Sequence, residues 1–197
     1  MRTDRIAFLP QCLLLAAASC VHGGCSSGGN STSVMIMRKV DADQVAAAAM
    51  ATCDANKNGS IDGGEIDLAK SLKSALVRID TNRDGAIAAD ELAARIRILQ
   101  TQPDVVPCVI QLKKGAKNVA SAQVTLEPEP FLGANFPKYN GSSDAMGIIK
   151  LQAEDPTVPG VVLGFYKVHV SGPATGELGI EIAADALIGG RAMTLTL

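Results

Sequence analysis

A twelve-residue pattern occurs twice in this chain, at 54–65 and at 80–91, and no other feature limits its fold so tightly. Each stretch opens on Asp (Asp54, Asp80), has Asn at the third place (Asn56, Asn82) and Asn or Asp at the fifth (Asn58, Asp84). Gly follows at the sixth place (Gly59, Gly85), Ile at the eighth (Ile61, Ile87) and Glu at the twelfth (Glu65, Glu91). Side-chain oxygens thus alternate along a segment whose glycine permits a sharp turn. A chain that bends there aims them at one centre. Each centre gathers three acids (Asp54, Asp62 and Glu65; Asp80, Asp84 and Glu91), which repel one another unless a cation sits among them.

A hard cation suits such a centre. Ca²⁺ takes about seven oxygens at roughly 2.4 Å, and a twelve-residue loop can wrap it when donors appear at these intervals. In the first loop Asp54, Asn56 and Asn58 offer side-chain oxygens, Ser60 its carbonyl, Asp62 a contact through water, and Glu65 both carboxylate oxygens. In the second the same places are held by Asp80, Asn82, Asp84, the Ala86 carbonyl and Glu91. Ala88 at the ninth place has no oxygen to offer, so water alone fills that vertex and the following helix lacks a side-chain cap. Asp62 is expected to serve as both metal partner and cap. Ile61 and Ile87 are expected to form a short β-bridge between the loops.

Both stretches match the EF-hand motif, and the segment 41–101 resembles an EF-hand pair of the kind found in bacterial exported proteins. The loops start 26 residues apart, which leaves only 66–79 as a helix shared between the two hands. A helix that short cannot easily swing open to expose a groove, so the resemblance implies Ca²⁺ held structurally. The alternative is a calcium-responsive regulator or buffer that engages a partner on loading. Regulators of that type expose Met-rich surface, and Met50 is the sole methionine between Asp41 and Gln100.

Helical spacing surrounds the loops: Ala46, Ala49, Met50 and Cys53 before the first, Ile66, Ala69, Leu72, Leu76 and Ile79 between them, and Leu92, Ile96 and Leu99 after the second. Pro103 and Pro107 then mark a linker over 102–107. Beyond it the period becomes two, in the sets Ile110 and Leu112; Ala122, Val124 and Leu126; Tyr166, Val168 and Val170; Leu178, Ile180 and Ile182; and Met193, Leu195 and Leu197. Gly147 to Gln152 reads as a further short strand, and Glu127 with Glu129 as a charged loop. The expected fold is α+β in two domains, a small helical pair followed by an all-β sandwich over 108–197.

Three pieces of that second half carry a resemblance of their own. They are the "AQVTL" strand at 122–126, "GSSDAMGIIKL" at 141–151 and "PGVVLGFYKVHVSG" at 159–172. Together they resemble transthyretin-like (prealbumin-like), carboxypeptidase-regulatory-type sandwich domains. The resemblance implies a contact module with a protein or carbohydrate surface partner, and no chemistry.

The first twenty residues read as a signal peptide, with Arg2 and Arg5 ahead of a short apolar stretch from Ile6 to Ala18. Ala17-Ala18-Ser19-Cys20 resembles a bacterial lipobox, which implies lipidation at Cys20; Cys25 is a second candidate. Residues 21–40 include a Ser/Gly/Asn run expected to act as a flexible tether. The expected location is the cell envelope or periplasm, with membrane attachment only through lipid.

A net charge of −2 with no basic cluster argues against a nucleic-acid partner. His169 is expected to face solvent on its strand, and a lone surviving His leaves no nucleophile or zinc set with its usual companions, so the chain reads as a non-enzyme. Cys53 and Cys108 could pair or remain free thiols.

Overall fold

The computed structural model describes residues 36–154, 156–158, 160–187 and 192–197, all of which belong to one compact unit. The expected signal peptide, the candidate lipid-bearing Cys20 and Cys25, and the tether up to residue 35 lie outside the described residues. The chain is α+β: among the described residues 32% are helical and 33% lie in strands, so helices and sheets share the architecture about equally. No helix among the described residues is long and apolar enough to cross a membrane.

Asp41 starts the first helix, α1 (Ala42–Cys53), by accepting hydrogen bonds from the Asp43 and Gln44 backbone N–H groups through its side chain. After it come β1 (Ser60–Ile61), α2 (Gly63–Leu68), α3 (Lys70–Ile79), β2 (Ile87–Ala88) and α4 (Ala89–Gln100). Val45, Ala46 and Ala49 of α1 are buried together with Leu72, Ala75 and Ile79 of α3 and Leu92, Ile96 and Leu99 of α4. The stretch 66–79 is not one helix. It breaks at Ala69, whose ψ of 62° leaves the helical region. Neither proline nor glycine causes the break; it lies where the chain comes closest to a sheet. The tether expected over 21–40 is anchored at its end, where Met37 is fully buried and the Gln100 side chain donates to the Val40 carbonyl at 2.8 Å.

The remaining strands are β3 (Val105–Val106), β4 (Val109–Lys114), β5 (Lys117–Asn118), β6 (Gln123–Pro128), β7 (Tyr139–Ser142), β8 (Ile148–Lys150), β9 (Gln152–Ala153), β10 (Val161–Val162), β11 (Gly164–Ser171), β12 (Gly176–Ile182) and β13 (Met193–Thr196). Five of them form an antiparallel sheet in the order β12-β11-β6-β7-β9. A second sheet is built around β4, which pairs with β5 and β8 antiparallel and with β13 parallel. The stretch 147–152, expected as one strand, divides between the sheets, with β8 on β4 and β9 on β7. The stretch 102–107, expected as a linker, holds β3, which pairs with β10.

Period-two burial follows the sequence pattern on one face. Ile110, Leu112, Val124, Leu126, Tyr166, Val168, Val170, Ile180 and Ile182 are all buried in a single core that also takes in the helices. Two tyrosines anchor its centre. The Tyr139 hydroxyl accepts from the Val162 N–H at 2.9 Å, the Tyr166 hydroxyl donates to the Val162 carbonyl at 2.8 Å, and the rings meet edge to face.

The opposite face of the five-stranded sheet carries the surprise. Gly179 and Glu181 alternate with the apolar residues of β12 and so point away from the core, yet Glu181 has no exposed surface. Helix α3 lies over them. A Cβ added at Gly179 would sit 2.0 Å from the Ser71 nitrogen, so the two backbones touch where only glycine fits. Along α3 the polar stripe Lys70, Ser74 and Arg78 faces the strand. Lys70 Nζ donates to the Glu177 carbonyl at 2.9 Å, the Glu181 N–H donates to Ser74 Oγ at 2.9 Å, and Arg78 Nε donates to Glu181 Oε2 at 2.6 Å. Arg95 of α4 completes the contact with Nε on Glu181 Oε1 at 2.6 Å and a two-pronged pair with Asp185 at 2.6 and 2.8 Å. Burial opposes the Arg95 cation, but its hydrogen bonds to Asp185 and Glu181 outweigh it and the guanidinium pKa is raised. Breaking a buried pair of this kind from one side costs about 3–5 kcal/mol.

Glu129, in the connection just after β6, is buried, and Ser71 Oγ donates to its Oε1 at 2.7 Å. Glu127 stands in β6 and pairs with Lys138 at 2.7 Å. His169 is half exposed, its two ring nitrogens facing different carboxylates, Glu127 at 3.4 Å and Glu177 at 3.9 Å.

Cys53 and Cys108 are free thiols, half-buried and buried respectively. Burial raises the pKa of both, that of Cys108 to about 12. Since the thiolate is the reacting form, Cys108 is expected to resist alkylation at pH 8 until the protein is denatured. Equal labelling of both thiols in the native protein would contradict this packing.

Candidate metal centre

The two loops share their turns and most of their backbone hydrogen bonds. At the fourth place Lys57 and Arg83 take left-handed backbone (φ 58° and 63°), and at the sixth Gly59 and Gly85 do the same (φ 91° and 83°). This double turn curls each loop inward and lets the first aspartate accept hydrogen bonds from the fifth and sixth N–H groups. Asp54 accepts from Asn58 at 3.2 Å and Gly59 at 3.0 Å; Asp80 accepts from Asp84 at 3.2 Å and Gly85 at 2.9 Å.

The third and fifth places repeat the correspondence. Asn56 Oδ1 accepts from the Asn58 N–H at 2.8 Å, and Asn82 Oδ1 from the Asp84 N–H at 2.9 Å. Asn58 Oδ1 and Asp84 Oδ1 each accept at 2.9 Å from the seventh N–H, that of Ser60 or Ala86. Those bonds pin the two residues whose carbonyls are candidate donors.

The twelfth residue closes each loop. Glu65 Oε1 accepts from the Ala55 and Asn56 N–H groups, both at 2.9 Å, while Oε2 accepts from the Asp62 N–H at 3.3 Å. Glu91 Oε1 accepts from Thr81 and Asn82 N–H groups at 3.0 and 3.3 Å, and Oε2 from the Ala88 N–H at 3.1 Å. Thr81 adds its hydroxyl at 3.1 Å, a contact that the sequence pattern did not suggest. Each carboxylate thereby draws the end of the loop onto its beginning, and carboxylate oxygens in this state keep further lone pairs.

At the ninth place the Asp62 Oδ2 accepts from the Asn58 amide at 2.9 Å, within the loop. Ala88 has no side-chain cap, as its methyl group requires. At the start of both helices the twelfth-place glutamate reaches back to the ninth N–H. Between the loops Ile61 pairs with Ile87 and Ser60 with Ala88, and both isoleucines are fully buried.

Hydrogen bonds within the first loop link Asp54, Asn56, Asn58, Ser60, Asp62 and Glu65, and those within the second link Asp80, Asn82, Asp84, Ala86 and Glu91. Among the described residues, no three Asp, Glu, His or Cys side chains converge as a metal-holding group. The donor set of each loop relies on Asn amide oxygens and a backbone carbonyl beside its carboxylates. An all-oxygen set of this composition fits a hard cation such as Ca²⁺ and offers nothing to a thiolate- or imidazole-seeking metal.

No family model matches the sequence, and no curated protein or solved structure is detectably similar to it.

Proposed function

We propose that this chain is a calcium-binding exported surface protein, in which two EF-hand loops hold Ca²⁺ structurally and a transthyretin-like β-sandwich serves as a contact module. The observation that carries the reading is the shared hydrogen-bond scheme of the two loops, joined back to back by the Ile61 and Ile87 pair. In the first loop Asp54, Asn56, Asn58, the Ser60 carbonyl and Glu65 would hold the ion directly, with Asp62 through water. In the second Asp80, Asn82, Asp84, the Ala86 carbonyl and Glu91 would do so. Bound Ca²⁺ would supply positive charge to offset the carboxylates of each loop. The loops supply the turn, the pinned seventh residue and the closing glutamate.

A structural role is favoured over a regulatory one by the way the helices are fastened. A responsive pair must open, whereas here α3 is sealed onto β12 by backbone contact at Gly179 and by Arg78, and α4 by Arg95, both arginines meeting one fully buried carboxylate. Export, and lipidation at Cys20, remain part of the proposal on sequence grounds, with attachment to the membrane through lipid and to a protein or carbohydrate surface through the sheets.

Calorimetric titration of the purified protein with Ca²⁺ tests the reading. Two ions per chain are expected, with a higher melting temperature on loading and little change in the fluorescence of a dye that binds apolar surface. A melting temperature indifferent to chelation would end the calcium reading, and a large rise in dye fluorescence on loading would replace the structural role with a regulatory one.

A further inference from the structure

We infer that Glu181, on the sheet, is a positioning residue for the second loop's calcium site, acting through Arg78 and Arg95. The inference rests on the calcium reading and adds to it a control that no loop residue provides.

Arg78 stands two residues before Asp80, in the last turn of α3, and Arg95 stands four residues after Glu91, one turn along α4. The two arginines therefore bracket the loop at its first and twelfth places. A four-residue offset keeps Glu91 and Arg95 on one side of α4. Both guanidinium groups converge on Glu181, each at 2.6 Å and each on a different oxygen. That carboxylate has no exposed surface, and the Arg95 side chain is only 3% exposed, so solvent does not loosen the contact. Arg95 is fixed from its other side by Asp185.

Closure of the second loop requires Asp80 and Glu91 to meet, which depends on the separation of the end of α3 from the start of α4. Glu181 sets that separation from outside. It is one carboxylate holding both helices at the turns next to the loop. The first loop is a built-in comparison. At the places that match Arg78 and Arg95 it has Thr52 and Ala69, neither of which carries charge.

The test isolates the loops. Calcium titrations are run on Glu181→Gln in a Glu65→Gln background, which leaves the second loop, and in a Glu91→Gln background, which leaves the first. The second loop is expected to lose about tenfold in affinity, the scale typical of outer-shell partners of metal ligands, and the first to change by less than about twofold. Equal losses in the two loops would show a general loosening of the fold and overturn the inference, as would no loss in either. Arg78→Gln, at a partly exposed side chain, keeps the buried Arg95 and Glu181 pair and guards against a variant that does not fold. It is expected to give a smaller loss confined to the second loop, and an effect on the first loop of equal size would refute the assignment. A parent protein that binds no Ca²⁺ would refute the calcium reading itself; a parent that binds two ions beside variants that bind as it does would refute this inference alone.

Discussion

Glu91→Gln is expected to remove one of two bound Ca²⁺ ions and to lower the melting temperature of the calcium-loaded protein. Glutamine keeps the size of the side chain but replaces one acceptor oxygen with a donor. The oxygens of Glu91 together accept from the Thr81, Asn82 and Ala88 N–H groups and from the Thr81 hydroxyl, so one face of the new amide would point donor at donor. The bidentate closing contact is lost as well. At free Ca²⁺ about a hundredfold above the dissociation constant, each lost site forfeits roughly 2.7 kcal/mol of stability. Glu65→Gln is expected to remove the other ion in the same way. Glu91 is more buried than Glu65, so its replacement should also cost more stability without calcium. Calorimetry that still counts two ions in either variant would show that the twelfth residue is not a ligand.

Gly179→Ala is expected to be among the most damaging single substitutions in the chain. The added methyl carbon would lie 2.0 Å from the Ser71 nitrogen and 2.1 Å from the Lys70 carbonyl carbon. Neither is the far end of a flexible side chain, so α3 and β12 must part. Overpacking of this kind costs about 1–3 kcal/mol and sometimes more, and here the displacement also strains the contacts of Glu181. The urea midpoint measures the effect. A midpoint within the error of the parent would show that α3 does not rest on this strand.

The two loops were legible because their geometry is local: donors, turn and closing glutamate all lie within twelve residues, and the positions dictate the bonds. The inward strand residues were legible for the same reason, since a period of two needs no knowledge of distant chain. The helix-to-sheet contact was not. Lys70, Ser74 and Arg78 form the polar stripe of α3, which a helical reading assigns to solvent, and their partners lie more than a hundred residues away. Glu181 sits correctly in its alternation but faces a second layer that the pattern cannot reveal. Gly179 was the one available hint, because a glycine inside a strand often marks close approach of another backbone. Nor did the pattern reveal that the Asn58 amide reaches the Asp62 carboxylate from within the loop.

Strand β12 ends the five-stranded sheet, and among the described residues no strand neighbours its outer row of peptide groups. Ser74 and Lys70 occupy two of those groups, the Glu181 N–H and the Glu177 carbonyl. The helical half thus shields a border along which another polypeptide could add. Should the helices loosen when the ion is withdrawn, the hazard is less a change of shape than self-association, rising with concentration and seeded at β12.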